Sequence, residues 1–363
     1  MKTVLFVSNF GTFLGGGEVS LYELIRTLDS SQFRCVVVCP EKGEFFSQVE
    51  SLGIPVQVVK MPSLKGPGLF SLPSSVQELL ALIKMQEVDI IHANGSRCMI
   101  YAGLVGRLAR LPIIWHLRVA EKDPVLDPFL AMLATKIIAN SRAVSQRVRF
   151  SWSSQKVCVV HNGVDLREFS SDLEGDGIRQ EFSIPGEDKV VTIVGRLDEW
   201  KGHRLFLEAV QKVVTHFGAS KFLVVGDGVL RNELEALSRE LDIVNNVIFC
   251  GYRTDIPEIL AASDIVVSAS LAEGFGRVVI EAMAMAKPVV GTRAGGVPEI
   301  VIDGETGILV EPANSEDLAR AIRSLLTDPE RAREMGFAGL NRVRDCFSLE
   351  KHTREIEEIY KLI

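Results

Sequence analysis

The sequence predicts an α/β protein built from two doubly wound domains, each around a parallel sheet. Short β-branched runs alternate with longer helical patterns along most of the 363 residues, as expected for repeated βα units. This length exceeds the usual size of one domain and suits two. The composition, 47% hydrophobic and 24% charged, is typical of globular α/β proteins and excludes fibrous and disordered classes.

The predicted strands form two series separated by a polar stretch. The first series is Val4–Val7, Cys35–Cys39, Val56–Val59, Ile90–His92, Ile113–His116 and Ile137–Ala139. Residues 163–188 are rich in Asp, Glu, Gly and Ser and are predicted to join the domains. The second series is Val190–Val194, Phe222–Val225, Val247–Phe249, Ile265–Ser268, Pro288–Gly291 and Gly307–Val310. The tail, Ser348–Ile363, has the apolar spacing of one amphipathic helix.

Cysteine usage and hydropathy indicate an intracellular protein. The six cysteines are scattered, mostly in apolar runs, as expected for reduced, buried thiols. The sequence contains no clustered Cys/His pairs of the zinc-binding type. The first apolar run lacks a cleavage-site pattern, and no stretch reaches the roughly 20 apolar residues of a spanning helix. We therefore expect a cytoplasmic protein.

The strongest functional pattern follows a predicted strand, passes through a glycine turn and enters a helix, as ligand sites of open α/β sheets do. Gly274 and Gly276 allow backbone amides to approach a phosphate, and the helix starting near Arg277 directs its positive end at that anion. Glu281 is placed to accept hydrogen bonds from ribose hydroxyls, and Glu273 from sugar hydroxyls. Taken separately, each acid is better explained as an ordinary carboxylate, Glu273 in an exposed loop and Glu281 at a helix N-terminus.

Two cations follow the first predicted strand of the second domain. Arg196 and Lys201 stand in the segment Gly-Arg-Leu-Asp-Glu-Trp-Lys-Gly, residues 195–202. Fixed cations at such a strand end would lower the barrier of a reaction that leaves negative charge on a departing phosphate. We assign both cations this role, with a solvated basic loop as the alternative.

These segments resemble those of a known enzyme family. The stretch from Glu273 to Glu281 closely resembles the E-x7-E motif of retaining glycosyltransferases of family 4, which have the two-domain GT-B fold, and residues 195–202 are similar to the family's G-R-L-x3-K-G signature. The resemblance implies two Rossmann-like domains facing across a cleft. Residues 1–165 with 346–363 would form the acceptor-side domain with a returning C-terminal helix, and 166–345 the nucleotide-sugar-binding domain.

The resemblance also implies the residues of the site. The expected catalytic residues are His116, Arg196, Lys201 and Glu273. The expected donor-binding residues are Gly16, Gly17, Asn162, Gly195, Gly226, Gly228, Tyr252, Arg253, Gly274, Phe275, Gly276, Arg277, Val278 and Glu281. His116 stands where the family has an active-site histidine, although most histidines at strand ends are structural. Gly16 and Gly17 match the family's glycine-rich loop, whereas glycines alone indicate only a flexible turn.

The implied reaction is transfer of a hexose or N-acetylhexosamine from a nucleotide-diphosphate sugar to a hydroxyl acceptor, with retention and front-face attack. Glu273 is then a sugar ligand and not a nucleophile. The sequence contains no Asp-x-Asp pair, so we expect neither a metal nor another cofactor. UDP and GDP both stay open as the nucleotide. The alternatives are a nucleotide-sugar epimerase of the same fold and a non-catalytic two-lobed binding protein.

The charge distribution suggests a second partner. The segment Ser96–Lys156 holds ten cations and three acids although the chain is formally −7. Basic patches attract anionic surfaces, so we expect peripheral contact with the inner membrane face or with an anionic acceptor, and no nucleic acid. Ordinary surface charge is the alternative. Residues 63–75 show no recognisable acceptor-binding pattern.

Overall fold

The computed structural model describes residues 1–62 and 72–363, so residues 63–71 of the 63–75 segment lie outside the described residues. The chain divides into two compact units, Met1–Gly163 with Leu349–Ile363, and Val164–Ser348. These divisions fall two to three residues from the predicted boundaries. The reason is that Val164 N donates to Phe347 O at 3.0 Å and both side chains pack in one core cluster of the second unit.

The first unit contains a seven-stranded parallel sheet. Its strands are β1 (Lys2–Ser8), β2 (Phe33–Cys39), β3 (Val56–Val58), β4 (Ile90–Asn94), β5 (Ile113–Leu117), β6 (Lys136–Ala139) and β7 (Val157–Val159). The order is β3-β2-β1-β4-β5-β6-β7. The sequence analysis did not predict β7, because this edge strand has three residues and none of them is fully buried.

Helices flank this sheet. They are α1 (Gly16–Thr27), α2 (Glu44–Ser51), α3 (Leu72–Met85), α4 (Ser96–Ala109), α5 (Leu126–Leu133) and α6 (Arg142–Ser145). The central strands β4 and β5 are buried on both faces, as in other parallel sheets covered by helices. In β1, Leu5 and Val7 join one core cluster while Val4 and Phe6 join the other, because successive side chains point to opposite faces.

The second unit has a six-stranded parallel sheet. Its strands are β8 (Lys189–Val194), β9 (Ser220–Val225), β10 (Val247–Gly251), β11 (Ile265–Ser268), β12 (Val289–Thr292) and β13 (Gly307–Val310). The order is β10-β9-β8-β11-β12-β13. The prediction of an α/β protein with two doubly wound sheets is therefore confirmed.

The helices of the second unit begin inside the stretch predicted to join the domains. They are α7 (Asp176–Glu181), α8 (His203–Val214), α9 (Arg231–Glu240), α10 (Ile256–Ala262), α11 (Arg277–Ala284), α12 (Val297–Ile300), α13 (Ser315–Thr327) and α14 (Pro329–Cys346). The interpretation of 163–188 as a joining region is thus wrong over most of its length. Its polar composition concealed α7, whose Ile178 packs with Val190 and Leu223 of the sheet.

The last helix, α15 (Leu349–Lys361), belongs to the first unit. Ile356 and Tyr360 are completely buried in the core cluster under β1 and β2. The hydroxyls of Thr353 and Thr27 lie 2.7 Å apart, which ties α15 to the end of α1. The apolar face predicted for the tail therefore packs within the fold of residues 1–163.

Each sheet has one point where the strand order reverses. In the first unit this point lies between β1 and β4, and in the second between β8 and β11. Open α/β sheets bind ligands at the carboxyl ends of such strands. Within the described residues, no helix combines the length and apolar character needed to cross a membrane.

Candidate active site

A lysine–glutamate pair lies where β8 and β11 end. Lys201 Nζ is 2.6 Å from Glu273 Oε2, which also accepts a hydrogen bond from Ser270 Oγ at 3.1 Å. The Lys201 side chain is 30% exposed and that of Glu273 15%. The structure thus brings together two of the four predicted catalytic residues, with partial access to solvent.

The local backbone explains how Lys201 reaches this position. Lys201 ends a single 3-10 turn that Asp198 caps, since the Asp198 carboxylate accepts from Lys201 N at 3.2 Å. The next residue, Gly202, has a φ of 71°, and a Cβ there would come 1.9 Å from Ala269 O. Only glycine permits so close an approach to the end of β11.

Arg196, the other predicted cation, lies in a different ion pair. Its Nη2 is 3.0 Å from Asp198 Oδ2, and its side chain is 67% exposed. The structure therefore does not place Arg196 against Glu273. Its phosphate contact stays a prediction, and the exposed guanidinium is accessible to a ligand.

The predicted donor-binding glycines Gly195, Gly226 and Gly228 lie in two loops that pack closely. A Cβ on Gly226, where φ is 129°, would come 2.0 Å from Gly195 O. A Cβ on Gly228 would come 2.6 Å from Leu197 O. Loop packing alone accounts for Gly226 and Gly228, and their contact with the donor stays a prediction.

The helix α11 begins as the sequence predicts. Gly276 is its N-cap with a φ of 105° and makes no side-chain capping bond, so this helix start suits an anion. Glu281 does not stand alone, because its Oε1 lies 3.0 Å from Arg277 Nη2 and both side chains are 9% exposed. Any ribose contact by Glu281 is therefore made by a buried, paired carboxylate.

The remaining residues of this segment have mainly structural side chains. Phe275 is buried with its ring 5.9 Å from that of Phe347. Val278 packs against the same core cluster, and a Cβ on Gly296 would come 2.8 Å from Gly274 O. A donor contact by Phe275 would thus come from its backbone.

The loop after β10 has one exposed aromatic residue and one fixed cation. Tyr252 is exposed. The Arg253 guanidinium binds Glu181 at 2.5 and 2.9 Å and Asp255 at 2.8 and 2.6 Å. The hydrogen bonds that Arg253 donates to Asp255 and Glu181 raise the pKa of its guanidinium. Its side chain serves structure, which leaves backbone groups and Tyr252 for recognition of a base.

A polar cluster lies at the ends of β4 and β5 in the first unit. Arg118 Nε donates to Asn94 Oδ1 at 2.8 Å, and its Nη1 donates to Asn162 Oδ1 at 2.8 Å and Ser20 Oγ at 2.9 Å. Asn94 Nδ2 donates to Gly17 O at 3.2 Å. Gly17 and the predicted Asn162 are thus joined through Asn94 and Arg118, whereas Gly16 is exposed at the start of α1. Sequence analysis missed Arg118, although it directly follows β5.

His116 is completely buried in β5. Its Nδ1 lies 3.1 Å from His92 Nε2, and His92 Nδ1 lies 2.6 Å from the Tyr360 hydroxyl. Burial, with a smaller contribution from the charge of Arg118, lowers the pKa of both histidines well below the usual value. His116 is thus a neutral member of a buried chain, and its contact with the donor stays a prediction. No sequence pattern linked it to His92 or Tyr360.

Within residues 1–62 and 72–363, no group of three or more His, Cys, Asp or Glu side chains is arranged to hold a metal ion.

Comparison with known proteins identifies the family. The family model Glycosyltransferase Family 4 matches residues 14–168, and the model Glycosyl transferases group 1 matches residues 176–342. The Escherichia coli UDP-Gal:α-D-GlcNAc-diphosphoundecaprenol α-1,3-galactosyltransferase is 26% identical over 95% of this chain and 93% of its own. N-acetyl-α-D-glucosaminyl L-malate synthase of Bacillus anthracis is 33% identical over 57% of this chain and 54% of its own.

Solved structures agree with these relatives. Anabaena Alr3699/HepE, crystallised in complex with UDP and glucose, is 26% identical, with a TM-score of 0.88 and 100% of both chains covered. The same protein in complex with UDP-glucose also has a TM-score of 0.88. These matches agree with the two doubly wound sheets and with the Lys201–Glu273 pair at the ends of β8 and β11. The chain belongs to the family 4 glycosyltransferases, the glycosyl transferases of group 1, with the GT-B fold.

Proposed function

We propose that this glycosyltransferase transfers a hexose or N-acetylhexosamine from a UDP-sugar to a hydroxyl acceptor, with retention and without a metal ion. The observation that carries the proposal is the Lys201–Glu273 pair at the point where the second sheet reverses its strand order. The choice of UDP over GDP is supported by the UDP complexes of Alr3699/HepE and by the UDP-Gal donor of the Escherichia coli relative. We assign the nucleotide sugar to the second unit and the acceptor to the first.

Different residues of the second unit would bind different parts of the donor. Lys201 and the exposed Arg196 supply positive charge for the departing diphosphate, together with the start of α11. Glu273 is fixed by Lys201 and Ser270, which suits a ligand of sugar hydroxyls better than an attacking nucleophile. Glu281 and the loop at Tyr252 would hold the nucleoside.

Retention then follows from front-face attack. The bond between the anomeric carbon and the phosphate oxygen breaks, and a bond from the acceptor oxygen to that carbon forms on the same face. The acceptor proton passes to the departing phosphate, so no protein base is required. A glycosyl adduct trapped on Glu273 would contradict this mechanism.

The test is a panel of UDP-glucose, UDP-galactose and UDP-N-acetylglucosamine, with GDP-mannose for comparison, in EDTA. We expect release of UDP from one donor, and the anomeric coupling of the new glycoside in its proton NMR spectrum should match that of the donor. An inverted product would contradict retention. Interconversion of donor sugars without UDP release would favour the epimerase alternative. Binding of a donor without any turnover would favour the two-lobed binding protein.

We also propose that the first unit contacts an anionic membrane through one surface, the α5 surface, formed by Val125, Phe129, Met132 and Trp152. Val125 caps α5, and Phe129 and Met132 follow at intervals of four and three, so these three form one stripe. All four side chains are exposed. The opposite face of α5 packs its leucines in the core. Exposed apolar stripes of this kind suit a membrane interface.

Cations border the α5 surface. Arg107 Nη2 donates to Met132 O at 2.6 Å, and Lys156 Nζ donates to Ala134 O at 2.9 Å and lies 6.0 Å from the Trp152 ring centre. Asp127, one of the three acids in this basic segment, is buried and paired with Arg147 at 2.5 Å. The surface therefore combines apolar side chains with positive charge, which favours anionic lipid.

Sedimentation with vesicles tests this surface. We expect binding to phosphatidylglycerol vesicles at low salt, and the double change Phe129→Gln with Trp152→Gln should weaken it at least about tenfold because apolar burial is lost. The matched control is Phe337→Gln, since Phe337 is an exposed phenylalanine, 52% accessible, on α14 of the other unit. Equal binding by the double variant and the control would refute the proposed surface.

A further inference from the structure

Three side chains from distant parts of the sequence form a buried chain in the first unit. The Tyr360 hydroxyl on α15, the His92 ring in β4 and the His116 ring in β5 follow one another at 2.6 and 3.1 Å. All three side chains are fully buried. The His116 and His92 ring centres lie 5.2 Å apart, and Tyr360 meets His92 edge-on. The chain therefore has a fixed geometry.

The direction of the hydrogen bonds follows from the chemistry of the groups. Within the described residues, the recorded hydrogen bond of the Tyr360 hydroxyl is the one to His92 Nδ1. A buried hydroxyl proton without an acceptor is costly, so Tyr360 donates and His92 Nδ1 accepts. Both imidazoles are neutral because burial depresses their pKa values. A neutral imidazole has one N–H, so His92 carries its proton on Nε2.

The same step applies to His116. His92 Nε2 donates to His116 Nδ1, which therefore accepts, and the single proton of His116 is on Nε2. That Nε2 has no hydrogen-bond partner among the described residues. The Nε2–H of His116 therefore ends this row of hydrogen bonds and is the donor left for a ligand.

We propose that Tyr360, acting through His92, is a positioning residue that holds His116 as the Nε2–H tautomer, so that His116 meets its ligand as a hydrogen-bond donor and not as a base. For the identity of this ligand the inference rests on the proposed function. The last helix of the chain then has a chemical role in addition to packing. Partners of metal-bound histidines fix ring tautomers in the same way.

The wild-type protein tests the tautomer directly. Two-bond proton–nitrogen correlation spectra of protein labelled with 15N-histidine distinguish the two neutral forms, and a His116→Gln variant assigns the signals. We expect the Nε2–H form at His116 and His92 at neutral pH. An Nδ1–H form at His116 would overturn the proposal. The spectrum requires no substrate, so it stays decisive even if no donor is turned over and the proposed function fails.

The variant Tyr360→Phe tests whether Tyr360 controls the tautomer of His116 through His92. It removes the donor to His92, so we expect mixed tautomers at His116 and a kcat about tenfold lower, as for one lost hydrogen bond, with a smaller change in KM. The matched control is Tyr101→Phe, because Tyr101 is equally buried in the same unit and donates to Pro62 O at 2.6 Å. Unchanged tautomers in Tyr360→Phe, or the same loss of kcat in both variants, would overturn the proposal. If Tyr360→Phe does not fold, the wild-type spectrum still decides.

Discussion

Replacing Lys201 by methionine is expected to lower kcat by about 100- to 1,000-fold while the affinity for UDP changes little. The change keeps most of the side-chain length but removes the ammonium group 2.6 Å from Glu273. Negative charge on the departing diphosphate develops in the transition state, so a fixed cation there affects turnover more than binding. Removing one such electrostatic group typically costs this factor. Donor turnover kinetics and calorimetric titration of UDP measure the two effects separately.

The control for this variant is Lys212→Met in the same unit. Lys212 also forms an ion pair, at 2.9 Å with Glu316, but on the exposed surface of α8. Surface pairs contribute little to stability, so kcat and affinity should stay at wild-type values. A Lys201→Met enzyme with the kcat of this control would remove Lys201 from the mechanism. A loss confined to UDP affinity would assign it to ground-state binding.

Replacing Glu281 by glutamine is expected to weaken UDP binding by about 10- to 150-fold. Hydrogen bonds to a charged group contribute about 1.5 to 3 kcal/mol, and the amide keeps the shape but not the charge. Arg277, 3.0 Å from Glu281 in a buried setting, also loses its ionic partner. Calorimetric titration of UDP measures the effect, with thermal unfolding recorded in parallel to separate a loss of stability.

Glu233→Gln is the matched control for Glu281→Gln. Glu233 pairs with Arg204 of α8, and both side chains are about half exposed. The variant should bind UDP like the wild type. If Glu281→Gln also binds like the wild type, Glu281 serves only the internal pair with Arg277, and the ribose must be held by other groups.

Local patterns predicted the sheets because both are parallel and buried. A strand such as Val4–Val7 has no solvated face, so it is a continuous apolar run that polar turns delimit. The short edge strand Val157–Val159 and the helix Asp176–Glu181 lack this signal, since each hides few side chains. The sequence patterns therefore failed for short elements at the edge of the fold, whose side chains are largely exposed.

The sequence suggested residues for the candidate site but not how they pair. Lys201 and Glu273 stand 72 positions apart, and only the adjacency of β8 and β11 brings them to 2.6 Å. The row of hydrogen bonds that joins His116, His92 and Tyr360 requires α15 to pack under the first sheet. His92 and Tyr360 stand 268 positions apart, so no local sequence pattern reveals their contact. The Arg253 side chain is held by carboxylates, and the contact of this residue with the donor stays a prediction.

Calorimetric titration of the purified protein with UDP, GDP and ADP in EDTA decides whether the second unit is a nucleotide-sugar site. We predict that UDP binds with a dissociation constant in the micromolar range, about −8 kcal/mol, and that GDP and ADP bind at least about tenfold more weakly. Preference for GDP would still agree with a glycosyltransferase, but its donor would be a GDP-sugar and not a UDP-sugar. If no nucleoside diphosphate binds, with or without added Mg2+, the second unit is not a nucleotide-sugar site.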